Sequence, residues 1–237
     1  MQFRRYAINT AGRDFAVGDI HGHFTRLRAA MSAVNFDPEV DRLFSVGDLV
    51  DRGPECTDAL NWLDQPWFHA VRGNHEDYAV RYAAGNPVDP ANYRRNGGGW
   101  LLDLPVAEQR SFGNAFAALP IAIEVETVAG SVGILHADCP MEAWWMIESV
   151  FSGEATTSTQ KRVRDECMWS RGRIEGEDES GVLGLRALVV GHTPLSQPRW
   201  LGNVVHIDTK GWSEDGSGHF TFLRLDTLQT VEVGNCK

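Results

Sequence analysis

The sequence predicts a mixed α/β (α+β) fold with a parallel βαβαβ core and a second sheet. Three observations predict it. Short apolar runs alternate with apolar positions at helical spacing through the first third of the chain. Each of the first three runs ends in a glycine followed at once by a polar ligand-type residue: Gly18-Asp19, Gly47-Asp48 and Gly73-Asn74. Further apolar runs continue after residue 120 without that regular alternation. Strand–helix–strand units build parallel sheets, and such sheets bind ligands beyond the carboxyl ends of their strands.

The elements follow in order. Asp14–Val17 reads as a buried strand, and Phe24, Leu27, Met31 and Val34 recur at helical spacing after it. Leu43–Val46 is a second strand. Pro54 stands where a helix starts readily, with Ala59, Leu60 and Leu63 extending it. Phe68–Val71 is a third strand, followed by a helix through Tyr78, Val80 and Tyr82. Ile121–Thr127, Val132–His136 and Leu188–Val190 read as strands, the last ending at Gly191-His192-Thr193. Val204–Ile207, His219–Leu225 and Val231–Val233 read as strands of the second sheet. The polar stretch from about 150 to 180, with its acidic run Glu175–Glu179, reads as a loop-rich excursion. No repeat, low-complexity tract or linker breaks the chain, so residues 1–237 read as a single domain.

Composition narrows the function classes. Of 237 residues, 43% are hydrophobic and 23% charged, an ordinary globular balance. The net charge of −10 excludes general affinity for nucleic acid or anionic membranes. It leaves room for a phosphate site, because bound metal reverses the local field. Cys56, Cys139, Cys167 and Cys236 form neither a Cys-x-x-Cys pair nor a disulfide framework, which suits a reducing cytoplasm. The N-terminus lacks the apolar core of a signal peptide, and no stretch has the length of a membrane span. The expectation is a soluble, unexported protein.

The strand ends gather Asp19, His21, Asp48, Asn74, His136 and His192. Carboxylate and imidazole donors suit hard or borderline divalent ions such as manganese, iron or zinc. One carboxylate can bridge two such ions, a recurrent device in phosphoryl transfer. Each motif alone has a bland reading. Gly-Asp is a common turn, Asp51-Arg52-Gly53 is a salt bridge beside a turn, and Asn74-His75 is an ordinary helix start. Three in order, each after a buried strand, outweigh those readings.

Together the motifs Gly18-Asp19-Ile20-His21-Gly22, Gly47-Asp48-Leu49-Val50-Asp51-Arg52-Gly53 and Gly73-Asn74-His75-Glu76 carry a family likeness. The chain resembles the phosphoprotein phosphatase group of calcineurin-like metallophosphoesterases, and most of all the bacterial and bacteriophage-lambda-type serine/threonine phosphatases. Weaker matches extend the likeness over nearly the whole chain: Asn96-Gly97-Gly98-Gly99-Trp100, His136-Ala137-Asp138, Trp169-Ser170-Arg171, Gly191-His192-Thr193-Pro194 and Ile207-Asp208-Thr209.

The resemblance implies a two-sheet β-sandwich flanked by helices, holding two divalent metal ions. Manganese is the first choice, with iron, zinc or nickel as alternatives. It implies that Asp19 and His21 bind the first metal and Asp48 bridges both. Asn74, His136 and His192 complete the second site. His75 is then the general acid, oriented by Asp51, while Arg52 and Arg171 grip phosphate. The bland reading of Arg171 is a solvated surface arginine. His23, His69, His206 and His219 read as structural, and Glu76 as a support of the site.

The implied reaction is phosphomonoester hydrolysis by a metal-bridging hydroxide. Its substrates would be phosphoproteins or phosphopeptides bearing phosphoserine or phosphothreonine, with phosphotyrosine as a further candidate. No nucleic-acid or membrane partner is expected. The chain departs from the lambda-type pattern at Lys210, where a glycine is usual, and at His206, where a tyrosine often stands. Two alternatives compete. One is a diadenosine tetraphosphatase-type hydrolase, disfavoured because His21, Asp51 and Glu76 are all kept. The other is a metal-bound scaffold without activity, disfavoured because no ligand is missing.

Overall fold

A computed structural model describes residues 2–234, so Cys236 lies outside the described part. Its framework is two mixed sheets packed face to face, with helices on both outer sides. The first sheet has the order β11-β10-β2-β3-β4 and the second β1-β5-β6-β7-β9-β8. In the first sheet, β2 (Asp14–Val17), β3 (Arg42–Ser45) and β4 (Phe68–Ala70) run parallel. β10 (His219–Arg224) lies antiparallel on β2, and β11 (Thr230–Gly234) antiparallel on β10. In the second, β6 (Val132–Ile134), β7 (Ala187–Val190) and β9 (Val204–His206) run parallel. β5 (Ala122–Val125) pairs with β6 and with β1 (Phe3–Tyr6), and β8 (Arg199–Leu201) closes the other edge.

Strand alternation explains the layers. Phe15 and Val17 face helices α1 (Phe24–Ala33), α2 (Ala59–Leu63), α3 (Asn74–Ala83) and α6 (Val106–Ala117), whereas Ala16 between them faces the other sheet. Ala187 and Val189 likewise meet Ala16 and Phe44 in the inter-sheet core, while Leu188 and Val190 face α7 (Trp144–Ser149) and α8 (Thr157–Trp169). Each strand is thus apolar on both sides, which is why it reads as a continuous apolar run. The helical turns Pro90–Tyr93 (α4) and Gly99–Leu102 (α5) cover the first sheet near the site.

Two expectations need correction. His219–Leu225 and Val231–Val233 belong to the first sheet, beside β2, and only Val204–Ile207 joins the second. The stretch 150–180 is largely helical, with α8 followed by α9 (Gly172–Gly176). Helix α8 buries only a narrow stripe of Val163, Cys167 and Met168. Its outer face is held by Lys161–Asp165 and Arg162–Glu166 pairs, and Thr156 caps its start. Average polarity therefore hid it.

His206 is 1% exposed, and neither ring nitrogen has a hydrogen-bond partner. Burial, then Arg173 and Arg199, push its pKa down to about 4. An unfolded histidine titrates near ~6.5. The folded state therefore takes up its proton later than the unfolded one. The stability present above pH ~6.5 is lost as pH falls towards 4. Replacing the ring with one that cannot titrate should flatten that decline. We expect His206→Phe to reduce the loss in urea-unfolding free energy between pH 7 and 4 by up to roughly 3 kcal/mol. Equal pH slopes in the two proteins would refute this assignment.

Candidate metal centre

The parallel strands of both sheets end at one place. Asp19 and His21 follow β2, Asp48 follows β3, and Asn74 and His75 open α3 after β4. From the other sheet, His136 follows β6, His192 follows β7 and Asp208 follows β9. The chain turns sharply at these ends. His21, Asp48, Asp51, Arg52 and His192 all have left-handed backbones, with φ of 45°, 50°, 70°, 71° and 66°. That conformation costs about 1–2 kcal/mol for a residue with a side chain. Interlocking loops hold it: the N–H groups of Ile20 and His21 donate to the Asp48 carbonyl at 3.0 and 2.8 Å. Glu76 clamps the same loop, accepting from Asp48 N (2.9 Å), Leu49 N (2.8 Å), Val50 N (3.3 Å) and Gly73 N (2.9 Å). Glu76 thus faces backbone amides. A side chain at Gly73 would collide with Asp48, and one at Gly191 with Asp19.

Asp48 stands at the centre. Its Oδ1 lies 3.3 Å from His136 Nε2, and its Oδ2 lies 3.6 Å from His21 Nε2 and 3.8 Å from His75 Nε2. Around Oδ1, the Asn74 side-chain oxygen lies 2.8 Å from His136 Nε2 and 2.9 Å from His192 Nδ1. Around Oδ2, Asp19 lies 4.0 Å from His21 Nε2 and is fixed by the His192 backbone N–H. Each of the groups His21/Asp48/His75 and Asp48/His136/His192 converges closely enough to hold an ion, and Asp48 is common to both.

The outer hydrogen bonds prepare these rings as donors of lone pairs. His21 Nδ1 pairs with the Val50 carbonyl and His136 Nδ1 with the Val46 carbonyl, both at 2.8 Å. Each ring nitrogen beside a carbonyl carries a proton, so Nδ1 is tied to the backbone and Nε2 is the atom that faces inward.

Electrostatics also calls for cations. Asp19, Asp48 and Asp208 are each no more than 2% exposed. Burial, and the neighbouring Asp208 and Asp48, hold Asp19 well above the usual carboxylate range. Burial likewise raises Asp208 to about 6. Burial alone would raise Asp48 too, but the His136, His75 and His21 rings outweigh it and hold its carboxyl well below the usual range. Burial, and then His136, push His192 down to about 3, so that ring is a neutral donor. Crowded buried carboxylates beside imidazole nitrogens fit divalent ions far better than they fit one another.

Beside the donors, His75 Nδ1 is 2.6 Å from Asp51 Oδ2. Arg52 points Nη1 at His21 Nε2 (2.7 Å) and Nη2 at His75 Nε2 (3.2 Å). Its guanidinium lies 4.5 Å from the ring centre of Trp212. Arg171 is exposed at the start of α9, within electrostatic reach of His192 and opposing its protonation.

The structure therefore gathers Asp19, His21, Asp48, Asp51, Arg52, Asn74, His75, His136 and His192, with Arg171 at the edge. Three residues escaped the sequence reading of the site. Asp208 carries the same signal as Asp19 and Asp48, an apolar strand running into an aspartate, and lay within a motif already singled out. Trp212 donates its indole N–H to Asp208 Oδ1 (3.1 Å), and Trp100 donates to Asp51 Oδ1 (2.7 Å). Lys210 has φ 59°, a backbone for which the family's usual glycine needs no strain.

Residues 15–207 match the profile of the calcineurin-like phosphoesterases. The chain belongs to that family. Members use a dinuclear metal centre, which the paired donor groups around Asp48 accommodate. The chain is 33% identical to serine/threonine-protein phosphatase 2 of Escherichia coli over 218 residues, covering 89% of this chain and 92% of that one. It is 36% identical to serine/threonine-protein phosphatase 1 of Salmonella typhimurium over 200 residues, covering 82% and 85%. It is also 27% identical to an asymmetrical bis(5′-nucleosyl)-tetraphosphatase of Geobacillus thermodenitrificans, covering 92% of each chain.

Proposed function

We propose that this phosphoesterase is a metal-dependent phosphoprotein phosphatase that hydrolyses phosphoserine and phosphothreonine esters. The observation that carries the reading is the His75–Asp51 pair, whose imidazole opens onto Asp48. A serine alkoxide leaves poorly without a proton, so a positioned acid matters most for this substrate class. The phosphatase relatives support the same substrate.

In this reading Asp19, His21 and Asp48 would hold the first cation, and Asp48, Asn74, His136 and His192 would hold the second. Two such ions, manganese by preference, would supply a nucleophile at neutral pH by lowering the pKa of water and would draw charge from the phosphoryl oxygens. Arg52 and Arg171 bind those oxygens with forked donors that stay charged. His75 gives the proton on Nε2 to the departing oxygen, and Asp51 holds the ring through Nδ1. Residues 1–237 act as one domain. Three buried free thiols, Cys56, Cys139 and Cys167, favour a cytoplasmic setting. Among the described residues, no helix is long and apolar enough to cross a membrane.

Dinucleoside polyphosphate hydrolysis is the second reading, favoured by the tetraphosphatase relative. A panel of phosphoserine peptide, cyclic nucleotide and diadenosine tetraphosphate with added manganese separates the two. The expected result is that kcat/KM is highest for the peptide. Preference for the dinucleotide would overturn the phosphatase reading.

A further inference from the structure

We infer that Trp100 is a positioning residue for proton delivery, locking Asp51 so that it can orient His75. The inference rests on the reading of His75 as the proton donor. Asp51 is fully buried, and its two carboxylate oxygens face different partners. Oδ2 faces His75 Nδ1 at 2.6 Å, and Oδ1 accepts the Trp100 indole N–H at 2.7 Å. The Asp51 backbone N–H is occupied as well, donating to Cys56 Sγ at 3.1 Å.

The sequence explains how a residue 49 positions away arrives there. Gly97 turns the chain with φ 101°, its α-carbon so close to the Arg52 backbone that any side chain would collide. That contact seats α5 directly over Asp51. The Trp100 ring then packs edge-on against Phe112, with centroids 4.9 Å apart.

The chemistry favours an indole here. Its N–H donates and cannot accept, so it never competes for the proton that His75 handles. A hydrogen bond to an ionised carboxylate is short and strong, and it stops the carboxylate rotating away from the imidazole. Without it, Oδ1 is a buried charged acceptor lacking that donor, and the orientation of His75 loosens. During hydrolysis hydroxide derived from water forms a new bond to phosphorus as the ester P–O bond breaks; the electron pair of the broken bond goes to the departing oxygen, which takes the proton from His75 Nε2. Trp100 touches neither atom and acts through Asp51.

Trp100→Phe keeps an aromatic ring beside Phe112 and deletes only the donor. The test measures kcat and KM for a series of aryl phosphates in manganese, with phosphoserine peptide at the poor-leaving-group end. We expect kcat to fall about tenfold on phenyl phosphate and the peptide, and less than about twofold on 2,4-dinitrophenyl phosphate. KM and manganese affinity should stay unchanged. An equal fall across the series would overturn the inference. His75→Asn in the same assay separates the two ideas. If it shows no leaving-group dependence, the proton-donor reading fails; if it does and Trp100→Phe does not, only the inference fails. Should Trp100→Phe not fold, proton NMR of the unaltered chain and Asp51→Ala decides. The Trp100 indole proton should resonate downfield with slow exchange and lose both features in Asp51→Ala, and an unchanged signal would overturn the bond to Asp51.

Discussion

Asp48→Asn is expected to abolish turnover, with kcat/KM on p-nitrophenyl phosphate falling at least about 10³-fold, or ~4 kcal/mol of barrier. The reason is geometric. One oxygen of Asp48 faces His136 and the other faces His21, so a single carboxylate serves both halves of the donor set. An amide offers one weaker oxygen: the half with Asn74, His136 and His192 loses its one carboxylate, and the half with His21 keeps only that of Asp19. The fold should survive, because the amide has nearly the same shape and removing the charge relieves repulsion with Asp19. Manganese should raise the Tm of the unaltered protein and leave that of the variant nearly fixed, since only a bound ligand stabilises by mass action. A variant that still gains stability from manganese and keeps more than a tenth of its activity would contradict the bridging role.

His75→Asn is the second large effect, and its signature differs. The metals should stay, because the outer donors of His21 and His136 do not involve His75. Activity on phosphoserine peptide should fall by ~10²–10⁴-fold, the usual worth of a positioned acid. Activity on 2,4-dinitrophenyl phosphate, whose leaving group needs no proton, should fall little. Calorimetric manganese titration and two substrates are enough to check it. Equal losses on both would assign His75 to metal binding, which its 3.8 Å approach to Asp48 also permits.

Much of this centre can be read along the chain, for a physical reason. Strands β2, β3 and β4 are buried on both faces, so each writes a continuous apolar run whose end is unmistakable. The glycine at each end is required by close approach, as Gly73 to Asp48 shows. His136 and His192 likewise follow apolar strands of the second sheet, His192 after Gly191 and His136 after Leu135. What stayed hidden depends on long-range contacts or on partial burial. β1 carries Arg4 and Arg5 outward and lies at a sheet edge, so its pattern is mixed. The pairing of Phe222 with Val17 places β10 in the first sheet, and nothing local to either strand announces it. Trp100 and Trp212 reach the site only because loops fold back onto Asp51 and Asp208. Asp208 was legible by its strand-then-aspartate signal, but its significance rests on a crowd of carboxylates that only the fold assembles.

The two-metal centre is tested most simply by a manganese titration of the metal-free protein, followed by electron paramagnetic resonance and by hydrolysis of p-nitrophenyl phosphate in parallel. Two ions per chain are expected, with a spin-coupled signal that appears as the second ion binds and activity that rises with that signal. Full activity at one ion per chain, or two ions with no coupling, would contradict it.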